Sequence, residues 1–366
     1  MKILFDHQTF LLQKHGGISR YFFELITGLL AKTDVTIDLF MGIHINGYGL
    51  EKYSARCDRF FGIRRPDVSH LLTLSLALNR LLFSKFAGKA TPDIYHQTYF
   101  YDLASPPRVK RVVTVYDMIY ELYPEIYAPH DKTAPNKNVA VSRADAIICI
   151  SHSTKADLIR LLHVPEEKVK VVYLGNSLTQ DVTTPPVVGR PYILYVGKRD
   201  AYKNFSLVLD AFARSARIRN NFVLVCAGGG EFDRSETDRI TSLGITERVL
   251  RYGGSDDVLA NLYRHAALLV YPSLYEGFGI PPLEAMHYGC PVVVSRASAI
   301  PEVVGDAGLY FDPHSREELA GAMERVVDDP VLCASLAAAG HSRERLFTWE
   351  RCVQQTYQVY ESLLTK

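Results

Sequence analysis

The sequence predicts an α/β protein of two Rossmann-like domains, each a doubly wound parallel sheet flanked by helices. Three observations predict it. Short apolar runs alternate with helical stretches of about 10–15 residues almost from end to end, the pattern of successive βαβ units. A polar, proline-bearing stretch at residues 178–190 breaks that alternation and has neither period, which marks a linker. At 366 residues the chain is long enough for two cores rather than one. The expected domains are 1–178 and 190–347, with a last helix at 348–364 packing back on the first. In such folds ligands bind beyond the carboxyl ends of the strands, so a cleft between two facing domains is expected to hold the site.

The first strand, at residues 2–5, leads through a loop over 7–15 to Gly16 and Gly17. Two glycines directly before a helix let a ligand approach the backbone and present N–H groups to it. Gly17, with Arg20 one turn on, is therefore a candidate contact. Further strands are expected at 35–40, 111–115, 146–150 and 170–172. His96 closes one strand end, and Tyr116 with Asp117 another, so these three are candidates to hold the hydroxyls of an acceptor or a sugar. Residues 66–90 combine a run of leucines with Arg80, Lys85 and Lys89. Such a segment either lies on an anionic membrane surface or packs on the first sheet.

In the second half, strands are expected at 192–196, 222–226, 249–252, 268–271 and 292–294. The first of these ends in Gly197, Lys198 and Arg199, with Lys203 at the following helix start. These cations can close on one pyrophosphate and stabilise its departure, Arg199 being the better bidentate partner. Glycines at 228–230 and at 253–254 follow the next two strands and either turn the chain or line a base pocket. Strand 268–271 runs into Pro272, then Glu276, Gly277, Phe278, Gly279 and Ile280. Pro281 and Pro282 fit only the first turn of a helix, which puts Glu284 in that turn too. Amides beside Gly277 and Gly279 suit an anion, and acceptor-only carboxylates suit sugar and ribose hydroxyls. The combination points to a nucleotide sugar.

The formal net charge is +1, which argues against nucleic-acid binding. Six cysteines without a C-x-x-C pair read as reduced thiols, and no signal peptide or long apolar run is present; a cytoplasmic protein is expected. No G-x-G-x-x-G fingerprint supports a nicotinamide cofactor. Asp256-Asp257 and Asp328-Asp329 read as helix-terminal residues rather than metal ligands.

Taken together, these residues resemble glycosyltransferase family 4, the retaining sugar-nucleotide transferases of GT-B architecture. The specific match is the E-x7-E signature from Glu276 to Glu284, inside Tyr-Glu-Gly-Phe-Gly-Ile-Pro-Pro-Leu-Glu-Ala-Met. The segment from Val196 to Phe205 resembles the family's phosphate-binding stretch, and similarity extends over essentially the whole chain. The resemblance implies that Arg199 and Lys203 hold the donor diphosphate and that Glu284 holds the ribose, Lys198 remaining a candidate from its place beside them. It implies that Glu276 contacts the donor sugar, assisted by Gly277, Phe278 and Gly279, while Gly17 approaches its phosphate; Gly253 and Ile280 are further candidates for the donor site. It also implies that no metal or other cofactor is needed. Many members carry His-Asp where this chain has Tyr116-Asp117, a departure pointing to a different or deoxy sugar. The details look most like bacterial mannosyltransferases of surface-polysaccharide assembly, implying GDP-mannose or a related donor and a saccharide or lipid-linked acceptor. Donors built on UDP or dTDP, a GT-B epimerase or phosphorylase, and a catalytically silent sugar-nucleotide binder are the competing readings.

Overall fold

The structure, a computed structural model, describes residues 1–104, 106, 108–199 and 201–365. Within them the chain divides into two compact units, Met1–Gly175 with Trp349–Lys366, and Asn176–Thr348. Each is built on a parallel sheet with helices between its strands, so most central strands are buried on both faces and read as continuous apolar runs.

The first unit holds β1 (Lys2–Phe5), β2 (Thr36–His44), β3 (Arg59–Arg64), β4 (Ile94–Gln97), β5 (Lys110–Val115), β6 (Ala146–Cys149) and β7 (Val169–Val171). They lie in the order β3-β2-β1-β4-β5-β6-β7. The chain between β1 and the first glycines, expected as a loop, forms the short helix Gln8–Leu12. Buried Asp6 accepts from the Gln8 amide at 3.0 Å, which starts that helix. The final helix, Trp349–Leu364, packs on the helix Gly17–Leu30 and buries Cys352, Val353, Thr356 and Tyr360.

The second unit holds β8 (Tyr192–Val196), β9 (Val223–Ala227), β10 (Val249–Tyr252), β11 (Leu268–Tyr271), β12 (Val292–Ser295) and β13 (Gly308–Phe311), in the order β10-β9-β8-β11-β12-β13. Strand order therefore reverses between β8 and β11. At such a switch the connections leave toward opposite faces and open a crevice beyond the strand ends. The loops after β8 and β11 both arise there. Residues 178–190 carry no regular structure, and Asn261 ties them to this unit by accepting from the Val187 amide at 3.1 Å and donating to the Pro185 carbonyl at 2.9 Å. Among the described residues no helix is long and apolar enough to cross a membrane.

Candidate functional site

The switch point of the second sheet brings together two segments that lie far apart in the chain. After β8 the backbone turns at Gly197, makes a short 3-10 turn at Ala201–Lys203, and enters the helix Phe205–Arg214. After β11 it runs through Ser273 and Glu276 to Gly279, then into the helix Ile280–His287. Gly279 adopts φ +119°, a conformation that side chains with a Cβ rarely adopt, and so places the helix start directly after the loop. Asn204 clamps the two segments, donating to the Pro272 carbonyl at 3.2 Å and to the Pro313 carbonyl at 2.7 Å. The Leu274 amide donates to the Tyr202 carbonyl at 2.8 Å.

Within this frame Lys203 and Glu276 meet. The Lys203 ammonium donates to Glu276 Oε1 at 2.6 Å, and the Ser273 hydroxyl reaches the same oxygen at 2.6 Å. The Glu276 amide donates to Ser298 Oγ at 2.7 Å, which fixes the loop from the side of β12. Tyr271 lies beneath. Burial first, then the charge of Glu276 and a hydrogen bond to it, push its phenol well above its ordinary pKa, so it remains a donor. Glu284, half-buried on the next helix, accepts from the Tyr263 hydroxyl at 2.8 Å. Burial and the Glu284 charge raise the Tyr263 phenol in the same way.

Arg199, expected on a phosphate, has its guanidinium turned into the protein. Nε pairs with Glu236 Oε1 at 2.6 Å, and the side chain is only 4% exposed. The other two nitrogens donate to the carbonyls of Gly228 at 3.0 Å, Gly229 at 3.3 Å, Gly230 at 3.2 Å and Glu231 at 2.7 Å. Every guanidinium nitrogen thus has a protein acceptor. At Gly229, with φ +75°, an added Cβ would stand 2.4 Å from the Arg199 Nη1 atom, so the glycine is required for the clamp to close. Lys198 is exposed, and no described residue pairs with its ammonium. In this structure Arg199 thus organises the glycine loop, Lys203 lies against Glu276, and Lys198 is exposed. Asp200, inside the same segment, lies outside the described residues. Gly253 lines a crevice of about 180 Å³ with Val196, Gly197, Gly228, Tyr252 and Asp256, at the ends of β8, β9 and β10.

The candidates of the first unit fare differently. His96 is fully buried, with its two ring nitrogens 2.6 Å from the Tyr360 hydroxyl and 2.9 Å from Thr114 Oγ1. It latches the final helix to the sheet through these two contacts; burial pushes its pKa down to about 3. Tyr116 is also buried, edge-on to Tyr21 at 5.8 Å. Asp117 is half-buried. Its Oδ1 accepts from the Ile119 amide at 3.1 Å, and the ammonium of buried Lys137 donates to its carbonyl at 2.9 Å. At the helix entry the Gly16 amide donates to the Tyr48 hydroxyl at 3.1 Å and the Ser19 amide to Gln13 Oε1 at 3.1 Å. Gly17 opens that helix, and Arg20 lies over the Tyr48 ring at 4.7 Å.

Sequence reasoning missed Ser273, Ser298, Tyr263 and Asn204, which hold the two signature carboxylates and the loops around them. Ser273, three residues before Glu276, was in principle visible as a local partner. Ser298 and Tyr263 come from other segments, and nothing in their own neighbourhood announces the contact.

Comparison with known proteins places this geometry in context. A sequence model described as Glycosyltransferase Family 4 matches residues 15–180, and one described as Glycosyl transferases group 1 matches residues 179–343. The chain is 31% identical to O-antigen chain mannosyltransferase B of Escherichia coli, across 95% of this chain and 96% of that one. It is 27% identical to O-antigen chain mannosyltransferase RfbU of Salmonella typhimurium, across 73% and 72%. Among solved structures it is similar to sucrose-phosphate synthase from Thermosynechococcus elongatus, with TM-score 0.77, 22% identity and coverage of 100% and 99%. It is also similar to WaaG, a glycosyltransferase involved in lipopolysaccharide biosynthesis, with TM-score 0.72, 15% identity and coverage of 98% and 99%.

Proposed function

Since the chain belongs to glycosyltransferase family 4 and has the GT-B fold, we propose that it transfers mannose from GDP-mannose to a saccharide acceptor in bacterial surface-polysaccharide assembly. The observation that carries the assignment of residues is the Lys203–Glu276 pair at the switch point, beside exposed Lys198. In this reading Lys198 and Lys203 face the donor diphosphate, Glu276 faces the donor sugar and Glu284 the ribose. Asp117 is assigned to the acceptor.

The proposed step retains the anomeric configuration. The bond from the anomeric carbon to the diphosphate oxygen breaks, and its electron pair leaves with the nucleotide. The acceptor hydroxyl oxygen bonds to that carbon on the same face, and its proton passes to the departing phosphate oxygen. Negative charge grows on the diphosphate as the bond stretches, so fixed ammonium groups lower the barrier more than they tighten the ground state. The Glu276 carboxylate contributes by holding the Lys203 ammonium in place before the donor arrives. Stabilisation by protein cations calls for no metal or other cofactor in this scheme.

Support for mannose is the naming of the two O-antigen relatives above. A thermal-shift panel of GDP-, UDP-, dTDP- and ADP-sugars tests the donor directly, because a ligand of the native state raises its melting temperature. GDP-mannose is expected to give the largest shift. A larger shift with a UDP- or dTDP-sugar rejects the proposed donor while leaving the family membership intact.

A further inference from the structure

The helix Leu72–Gly88 is turned inside out relative to an ordinary surface helix. Its buried residues are Ser75, Asn79, Phe83 and Ala87, while Leu74 is 57% exposed, Leu78 39% and Leu81 58%. The register that exposes these leucines is held by polar bonds. Fully buried Asn79 accepts from the Ile43 amide at 2.7 Å and donates to the Ile43 carbonyl at 3.0 Å, which pins the helix to β2. Below it Phe83 and Ala87 enter a cluster with Phe40, Leu4 and Tyr95. Rotating the helix to bury the leucines would strand a buried amide and break that cluster.

The exposed side is also cationic. From Leu72 to Lys89 the chain carries Arg80, Lys85 and Lys89 and no acidic residue. At 3.6 residues per turn Leu74, Leu78, Leu81 and Lys85 fall on one stripe, with Lys89 at its edge. The neighbouring edge strand adds to it. Phe61 packs on the helix side of β3, so Ile63, two residues on, points to that side as well and is 54% exposed. Ile63 pairs in register with Ile43, the residue that Asn79 holds.

We propose that this face, centred on Leu74, Leu78, Leu81 and Ile63 and edged by Lys85 and Lys89, docks the protein on the surface of a bilayer containing anionic lipid. Apolar side chains would enter the boundary between headgroups and acyl chains while the long basic side chains reach the phosphates. A second copy of the chain fits less well, since a two-fold contact through this face would bring like charges together without an acidic partner. The proposal stands apart from the sugar-transfer reading, and its test reads binding rather than turnover.

The full chain is sedimented with vesicles of phosphatidylcholine alone and of phosphatidylcholine mixed with phosphatidylglycerol. It is expected to partition onto the mixed vesicles, with partition falling as salt is added. Leu74→Ser, Leu78→Ser and Leu81→Ser together should lower partition at least about tenfold, and Lys85→Glu with Lys89→Glu should do likewise. Val331→Ser, at an exposed apolar position of the second unit, serves as the control and should leave partition unchanged. Circular dichroism matching the parent shows that the variants are folded. No partition by the parent chain, or equal partition by both altered forms, overturns the proposal. So does a concentration-dependent dimer that the leucine replacements dissolve.

Discussion

At the scale of single residues, the site depends on which cations are already occupied. Lys203 sits against Glu276 in a half-enclosed setting, and in the proposed function it is the group whose charge a departing diphosphate would feel. Lys203→Ala is expected to lower kcat by about 10²–10³-fold while the melting temperature stays close to that of the parent, the range found when one preorganised charge-stabilising donor is lost. Parent-like turnover in both Lys203→Ala and Glu276→Ala would remove the basis for the assignment. Arg199 makes a different prediction because it acts through the glycine loop. Arg199→Lys keeps the charge but loses the fork, leaving several of the four loop carbonyls without a donor. Donor KM should rise several-fold, with kcat at saturating donor falling much less. If kcat falls as far as in Lys203→Ala, Arg199 contacts the reacting groups after all.

At the scale of elements, regular pieces were legible where their own residues decide them. The strands β1, β8, β10 and β11 occupy the bounds their apolar runs predict, and the paired prolines at 281–282 do open a helix, Ile280–His287. The strands β3 and β13 were not foreseen. Both are edge strands with half-buried residues, so neither carries the continuous apolar run that marks a strand covered on both faces. Asn204 shows what connects elements. It stands at φ +57° before the helix Phe205–Arg214 and reaches two loop carbonyls with one amide. Asn204→Ala should cost about 1–3 kcal/mol, the range for leaving buried polar groups unmet. Denaturant unfolding measures that loss, and hydrogen exchange should place the loosening at the loops after β11 and β13.

At the scale of the whole molecule, acid should act on the first unit through its buried histidines. Burial lowers His96 to about 3 and His7 to about 4, so both rings are neutral in the fold. In the unfolded chain they take up protons near pH ~6.5. The stability this confers is therefore complete above that pH and is lost as pH falls toward the folded-state values, at up to about 1.4 kcal/mol per pH unit for each ring. The single tryptophan, Trp349, packs in this unit 6.3 Å from Tyr21, so its fluorescence follows the transition. Its melting temperature should drop steadily between about pH 6.5 and pH 4. A flat profile would mean that the two rings are protonated in the folded protein. The sequence by itself determined the fold class and the family, because alternating βαβ periodicity and the signature from Glu276 to Glu284 are written in local runs of residues. Only the tertiary structure decided that Arg199 faces a glycine loop, that His96 latches a helix, and that leucines of one helix face outward. Those outcomes turn on partners 18 to 264 residues away, such as Thr114 and Tyr360 for His96, and no local pattern encodes which distant group will satisfy a buried donor.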